Sequence, residues 1–196
     1  MDLQFTNDLM KKLDTCLSEN CNDYLTWDWE KIAKEQMTNI EQSGAVKYIN
    51  NLLYGYGGFK RYKYDRLLFE VLYTLASQHD SEATELLINY IRDKDKGGFA
   101  ASALGRLKEK RAASIIVAKL RDALIFSPKL ITYIDGITLS SYVDMIQALK
   151  IIGEAGPDVL KETDVLRTLE DYSTKVDDKS IRMFAKEVLE SLKTNQ

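Results

Sequence analysis

Residues 97–120, GGFAASALGRLKEKRAASIIVAKL, constrain the fold of this chain more than any other stretch. Small and apolar side chains recur here every three to four residues on both sides of a polar turn, Lys108–Arg111. That spacing predicts two short amphipathic helices, each with one apolar stripe. Neither helix can bury its stripe alone, so the stretch predicts a chain built from stacked helices.

The first of these helices resembles the second helix of a HEAT-like repeat of the PBS-lyase type, which reads approximately V-R-x-x-A-A-x-A-L-G-x-L. The matching residues are Ala100-Ala101-Ser102-Ala103-Leu104-Gly105-Arg106-Leu107. The leucine of this pattern recurs at Leu72, Leu104, Leu149 and Leu189, at steps of 32, 45 and 40 residues, near the length of helical-pair repeats. The apolar–arginine pair that opens the family pattern is kept only in the last copy, at Ile181-Arg182. The resemblance covers about residues 44–193 and implies a right-handed α-α superhelix of helical pairs.

The resemblance does not extend to residues 1–43, which we expect to form an N-terminal cap. Their apolar spacing predicts two helices, residues 3–18 and 27–42, covering the exposed end of an array over residues 44–196. Cap and array are expected to make one compact domain overall. The chain holds only two prolines, which favours an all-α class.

One segment departs from the helical pattern. Asp135-Gly136 lies between the apolar, β-branched runs Leu130–Ile134 and Ile137–Leu139, and this arrangement is a strong short-range signal for a hairpin. We expect a small β-hairpin over residues 130–139, inserted between the two helices of one repeat. A helix that ends at Gly136 is the alternative.

Residue types that carry catalysis or bind metals are sparse. The only histidine, His79, stands before Asp80 and is expected to be a turn residue. Cys16 and Cys21 are expected to be reduced thiols rather than a disulfide or a metal pair. No cysteine–histidine cluster has zinc spacing, and neither a phosphate-binding loop nor a nucleophile-elbow motif occurs. We therefore expect no enzyme activity, no cofactor and no metal site.

Aromatic and basic residues alternate between Tyr54 and Arg66, and this segment is the first candidate binding surface. Tyrosine and arginine are enriched among the residues that dominate protein interfaces, while aromatic rings beside basic groups also suit single-stranded nucleic acid. A third interpretation is that half of the tyrosines cover the repeat core. The candidate partner-binding residues of the segment are Tyr54, Tyr56, Phe59, Lys60, Arg61, Tyr62, Lys63 and Arg66.

The resemblance implies a second candidate surface, because the second helices line the concave face of HEAT-like arrays. Outward positions of these helices, together with the polar turn and the expected hairpin, supply further candidates for partner binding. They are Tyr73, Arg106, Arg111, Tyr133, Asp135, Asp144 and Gln147.

The net charge of −3 is unevenly distributed, with −5 over residues 1–45, +5 over residues 46–153 and −3 over residues 154–196. A basic middle segment is typical of a surface for an anionic partner, and equally of an ordinary solvated exterior. The sequence pI of about 5.4 disfavours a HEAT-like DNA glycosylase, because phosphate contacts supply much of the affinity for DNA.

These observations predict a non-catalytic protein–protein interaction module. Its sharpest version is a bacterial immunity protein, a dedicated inhibitor that binds and masks a toxin or another enzyme. A general adaptor or assembly scaffold is one alternative, and a HEAT-like nucleic-acid-binding protein is another. The sequence has no run of about 18 apolar residues and no secretory signal, so we expect a cytoplasmic protein without membrane contact.

Overall fold

The computed structural model describes residues 45–55, 61–126 and 136–194, and within these ranges it contains helices and no strand. The all-α class is therefore confirmed for the described part of the chain. In chain order the helices are α1 Ala45–Gly55, α2 Arg61–Ser77, α3 Ser81–Tyr90, α4 Gly97–Arg106, α5 Arg111–Phe126, α6 Gly136–Ala155, α7 Pro157–Glu162, α8 Val165–Lys175 and α9 Lys179–Thr194. None of them is long and apolar enough to cross a membrane.

The chain divides into two compact units, with the boundary after Thr74, inside α2. In the first unit, α1 buries Val46, Ile49 and Leu53, a spacing of three and four residues that places them on one face. The cap expected for residues 1–43 lies outside the described residues and stays a prediction.

The second unit consists of helices that pack in two layers. In one layer, α4 contacts α6 and α6 contacts α9. In the other layer, α5 contacts α8. Between the layers, α3 packs on α4, α5 on α6, and α8 on α9. Helix α4 packs most extensively on α6 of its own layer, and the contacts between layers complete a stack of helices, as residues 97–120 predict.

Helices α4 and α6 approach each other unusually closely. A Cβ atom added to Gly98 would lie 2.6 Å from Ser141 Cα, and one added to Gly105 would lie 2.8 Å from Ala148 Cα. The second contact lies seven residues after the first along both helices. Helices α4 and α6 therefore run parallel and touch over about two turns. At Gly98 and Gly105 this crossing leaves no room for a larger side chain.

A buried tyrosine joins the two helices of the other layer. Tyr172 of α8 is fully buried, and its hydroxyl donates a hydrogen bond of 2.9 Å to the carbonyl oxygen of Leu120 in α5. Its ring lies 6.4 Å from that of Tyr142 in α6. Burial raises the pKa of the Tyr172 hydroxyl, with a smaller contribution from Tyr142. The hydroxyl therefore stays protonated as a hydrogen-bond donor well above neutral pH.

The expected hairpin is incorrect over its second half. Residues Ile137–Leu139 belong to α6, which starts at Gly136 and continues to Ala155, so the second strand of the hairpin is not formed and no helix ends at Gly136. Residues 130–135 lie outside the described part of the chain. The physical reason is that Ser141 must already be in helical geometry to pack on Gly98, while a three-residue strand buries too little surface to compete.

Candidate interaction surface

The structure describes the backbone of ten of the fifteen candidate residues predicted from sequence. Tyr56, Phe59, Lys60, Tyr133 and Asp135 lie outside the described residues. Arg61, Tyr62 and Lys63 form the first turn of α2. The remaining candidates divide between the two compact units, and they are Tyr54, Arg66, Tyr73, Arg106, Arg111, Asp144 and Gln147.

In the first unit, Tyr54 is the most exposed of these candidates, with 77% of its surface accessible near the end of α1. Arg66 and Tyr73 are half-buried on α2. In the second unit, Asp144 and Gln147 are half-buried and lie one turn apart on α6. Their partner-binding role stays a prediction.

Arg111 is held by two carboxylates. Its Nε and Nη2 atoms each donate a 3.0 Å hydrogen bond to Glu109, one to each carboxylate oxygen, and its Nη1 donates to Glu85 of α3. These bonds raise the pKa of Arg111, and the hydrogen bond from Arg111 lowers the pKa of Glu109. Arg111 therefore links α5 to α3, and a partner would have to compete with both carboxylates for it.

Two further ion pairs connect consecutive helical pairs on the outside of the second unit. Lys110 donates a 2.7 Å hydrogen bond to Asp158 of α7, which lowers the pKa of that carboxyl. Arg121 of α5 is paired with Asp164, the residue that precedes α8. Lys110 and Arg121, like Arg111, thus each have a carboxylate partner within the second unit.

A groove that the sequence pattern does not predict lies on the outward side of α5. It encloses about 370 Å³ and is lined by Arg92, Ser114, Ile115, Ala118, Lys119 and Asp122. The exposed side chain of Ile125, 72% accessible, continues the same face because residues 114, 118, 122 and 125 are spaced by one helical turn. We call Arg92, Ser114, Ile115, Ala118, Lys119, Asp122 and Ile125 the α5 face.

The charged side chains of the α5 face form no ion pair in the part of the chain that the structure describes, unlike Lys110, Arg111 and Arg121. Lys119 Nζ donates a 2.8 Å hydrogen bond to the carbonyl oxygen of Arg92, which brings the two cationic residues together. Within the described residues, neither cation has a carboxylate partner and Asp122 has no cationic partner. The face therefore combines aliphatic surface with two cations and one anion that form no ion pair among the described residues.

A sequence signal for this face exists. The buried stripe of α5 is formed by residues such as Ala112, Ile116 and Leu120, and Ile125 falls on the opposite side of that helix. An exposed aliphatic residue such as Ile125 indicates a binding surface only when the buried side of its helix is known, because single exposed apolar residues are common. The groove itself also needs Arg92, which comes from the turn after α3.

A second polar feature, at the start of α4, is structural. Lys96 is only 3% exposed, and its ammonium lies 4.0 Å from Asp93 Oδ2. The other oxygen of Asp93 accepts hydrogen bonds of 2.9 Å from the backbone N–H groups of Asp95 and Lys96. Because a buried ammonium needs a nearby carboxylate, we assign this pair to the stability of the turn rather than to partner binding.

The described residues contain no cluster of histidine, cysteine, aspartate and glutamate able to hold a metal ion. Among their ionisable groups, Glu109, Arg111, Tyr142, Asp158 and Tyr172 have shifted pKa values, and each shift has a structural cause within the chain. Comparisons with protein-family models, with curated proteins and with solved structures found no match to this chain.

Proposed function

We propose that this chain is a non-catalytic module that binds another protein through the α5 face. The observation that carries the proposal is the exposed Ile125 in line with a groove whose charged side chains lack partners in the described residues. Aliphatic surface next to charges of both signs suits a protein surface, in which apolar and charged groups alternate. The face lies on a helix whose opposite side is buried, so little ordering is needed to present it.

A nucleic-acid partner is the weaker candidate for the same surface. Binding to a phosphate backbone needs several cations without nearby anions. The α5 face offers Arg92 and Lys119 but also Asp122, whose carboxylate would repel phosphates. A protein partner can instead place a basic residue opposite Asp122.

We further propose that the second unit is part of a HEAT-like array. The two-layer packing of the second unit and the parallel contact of α4 with α6 support a stack of helical pairs, and we propose that it continues as a right-handed superhelix. In such a stack the α5 face lies on the first-helix side. The second-helix side, with Arg106, Asp144 and Gln147, is the alternative contact surface.

The sharpest form of the proposal is a dedicated inhibitor of the immunity type, acting in the bacterial cytoplasm on a toxin or another enzyme. An adaptor or assembly scaffold is the alternative. Both roles require a stoichiometric complex with one protein. They differ in one measurable respect, because only an inhibitor suppresses the activity of its partner when the two are mixed.

The test is a pull-down of the tagged chain from its host at moderate salt, from lysates with and without nuclease treatment. We expect one protein near a one-to-one ratio in both lysates. Ile125→Asp should remove it, because a carboxylate would replace the exposed apolar contact. Met183→Asp is the matched control, since Met183 is 63% exposed on α9, away from the α5 face.

Two results would contradict the proposal. Recovery of nucleic acid, together with loss of the co-purified protein after nuclease treatment, would indicate that the chain binds nucleic acid. Equal recovery of the partner with Ile125→Asp and with wild type would remove the α5 face from the contact. The purified partner, assayed with and without this chain, then separates inhibitor from adaptor.

A further inference from the structure

We infer that the α5 face binds an acidic segment of the partner that carries at least one aliphatic side chain, with its carboxylates directed at Arg92 and Lys119. The inference rests on the proposed function and specifies the chemistry of the partner. It depends on three features of the face: its length, its aliphatic residues and the imbalance of its charges.

The dimensions of the face suit a short protein segment. Ser114 and Ile125 are eleven residues apart on one helix, a distance of about 17 Å at 1.5 Å per residue. The groove volume of about 370 Å³ is at the low end for small-molecule pockets, which are usually enclosed and mostly apolar. A segment of two or three helical turns, or a short extended peptide, matches this length better than a compact ligand does.

The aliphatic residues of the face define where the partner's apolar side chain would lie. Ile115 is half-buried in the groove and Ile125 is exposed beyond it, with the small residue Ala118 between them. An aliphatic partner residue seated over Ala118 would cover Ile115, and a second one about two turns further along α5 would cover Ile125.

The charge imbalance sets the sign of the partner. Lys110, Arg111 and Arg121 each have a carboxylate partner within the second unit. Arg92 and Lys119 have none among the described residues, and the hydrogen bond between Lys119 and the Arg92 carbonyl holds the two residues close. A carboxylate approaching this pair would form charge-assisted hydrogen bonds, including a bidentate one to the guanidinium.

Asp122 limits where the partner can place its acidic groups. Its carboxylate lies one turn after Ala118 on the same face, where it opposes a second acidic group of the partner. Replacing it with lysine should therefore strengthen binding of an acidic segment, whereas reversing Arg92 and Lys119 should weaken it. A general loss of folding would weaken binding in every variant. It therefore cannot explain charge changes that strengthen binding at one position and weaken it at another.

The test uses the full chain, immobilised, and a display library of random 12-residue peptides. Peptides selected on wild type and rejected by the Arg92→Glu/Lys119→Glu variant are sequenced. The best is then synthesised with a fluorescent label for anisotropy titrations. We expect selected peptides to carry net negative charge and at least one leucine, isoleucine or valine. The double variant should weaken the Kd at least tenfold and Ile125→Ser severalfold, while Asp122→Lys should tighten it severalfold.

Lys94→Glu is the matched control, because Lys94 is an exposed cation close to Arg92 in sequence that does not line the groove. Its Kd should stay within about twofold of wild type. Circular dichroism and thermal unfolding verify that every variant is folded. A single-stranded oligonucleotide of twenty thymidines is titrated in parallel as the nucleic-acid probe.

Three outcomes would overturn the inference: no selected peptide, selected peptides that are neutral or basic, or a Kd that the double variant leaves unchanged. Binding of the oligonucleotide as tight as that of the best peptide would also overturn it, in favour of a nucleic-acid partner. The proposed function has a separate test. If Ile125→Asp removes the host partner while selected peptides are not acidic, protein binding stands and only the inferred chemistry fails.

Discussion

Gly98 of α4 lies so close to Ser141 of α6 that a Cβ atom on the glycine would be 2.6 Å from the Cα atom of the serine. Seven residues later the same relationship holds between Gly105 and Ala148, at 2.8 Å. In both cases the obstructing atoms belong to the backbone of a long helix, which cannot move aside locally. The crossing of α4 and α6 is therefore a place where the smallest change of side chain has a structural cost.

We expect Gly105→Ala to destabilise the chain, although alanine favours helices by about 1 kcal/mol over glycine. Forcing a methyl group into a packed contact costs about 1–3 kcal/mol, so the net effect should be a loss of stability measurable by urea unfolding. Gly156→Ala is the matched control, because a Cβ there meets mainly the flexible side chain of Lys110. Equal or greater stability of Gly105→Ala would contradict the close crossing.

Asp93→Ala should destabilise the turn before α4. The change removes the carboxylate nearest the buried Lys96 ammonium and the acceptor of two backbone N–H groups. The Asp93 side chain is 35% exposed and 4.0 Å from the ammonium, so solvent screens the pair, and we expect a loss of about 1–3 kcal/mol that includes the two hydrogen bonds to backbone N–H groups. Thermal unfolding measures the loss of stability. Asp95→Ala is the control, because Asp95 is exposed and its replacement should change the melting temperature little. Similar melting temperatures of the two variants would show that Lys96 does not depend on Asp93.

Stability should fall at alkaline pH because of Tyr172. Burial raises its pKa in the folded chain above the ordinary value of 10.0, so above about pH 10 the unfolded chain loses this proton first and folding becomes less favourable as pH rises. Burial also raises the pKa of Tyr142, which acts in the same direction. Melting temperatures measured from pH 8 to 11 should decline less steeply for Tyr172→Phe than for wild type or for Tyr54→Phe, the control at an exposed tyrosine.

At neutral pH, Tyr172→Phe should cost about 1 kcal/mol, because it removes one buried hydrogen bond, that to the Leu120 carbonyl, and little volume. Urea unfolding at pH 7 measures this loss. An unchanged pH dependence together with an unchanged stability would mean that the hydroxyl does not hold α8 to α5.

Ile125→Asp should separate binding from folding. The side chain is 72% exposed, and substitutions at such positions usually change the free energy of unfolding by no more than about 0.5 kcal/mol. We therefore expect a melting temperature close to wild type together with loss of the partner in the pull-down. A large fall in melting temperature would instead indicate that Ile125 is covered within the folded chain.

Local sequence patterns are sufficient to predict the helices around residues 97–120. Apolar residues spaced by three and four positions define a helical face whatever that face contacts, so α4 and α5 are predicted with a turn between them and are confirmed as Gly97–Arg106 and Arg111–Phe126. The all-helical class follows from the same local periodicity repeated along the chain. Helix α1 ends at Gly55 for a similarly local reason, because glycine favours a helix end.

Tertiary structure alone decided the features that depend on residues far apart in sequence. Asp135-Gly136 is a local hairpin signal, yet Ile137–Leu139 is helical because α6 must present Ser141 to Gly98, 43 positions earlier. The α5 face likewise needs Arg92 brought next to Lys119. Local spacing states which side of a helix is apolar, but which neighbour covers that side, and which charges are left without partners, depends on how the helices stack.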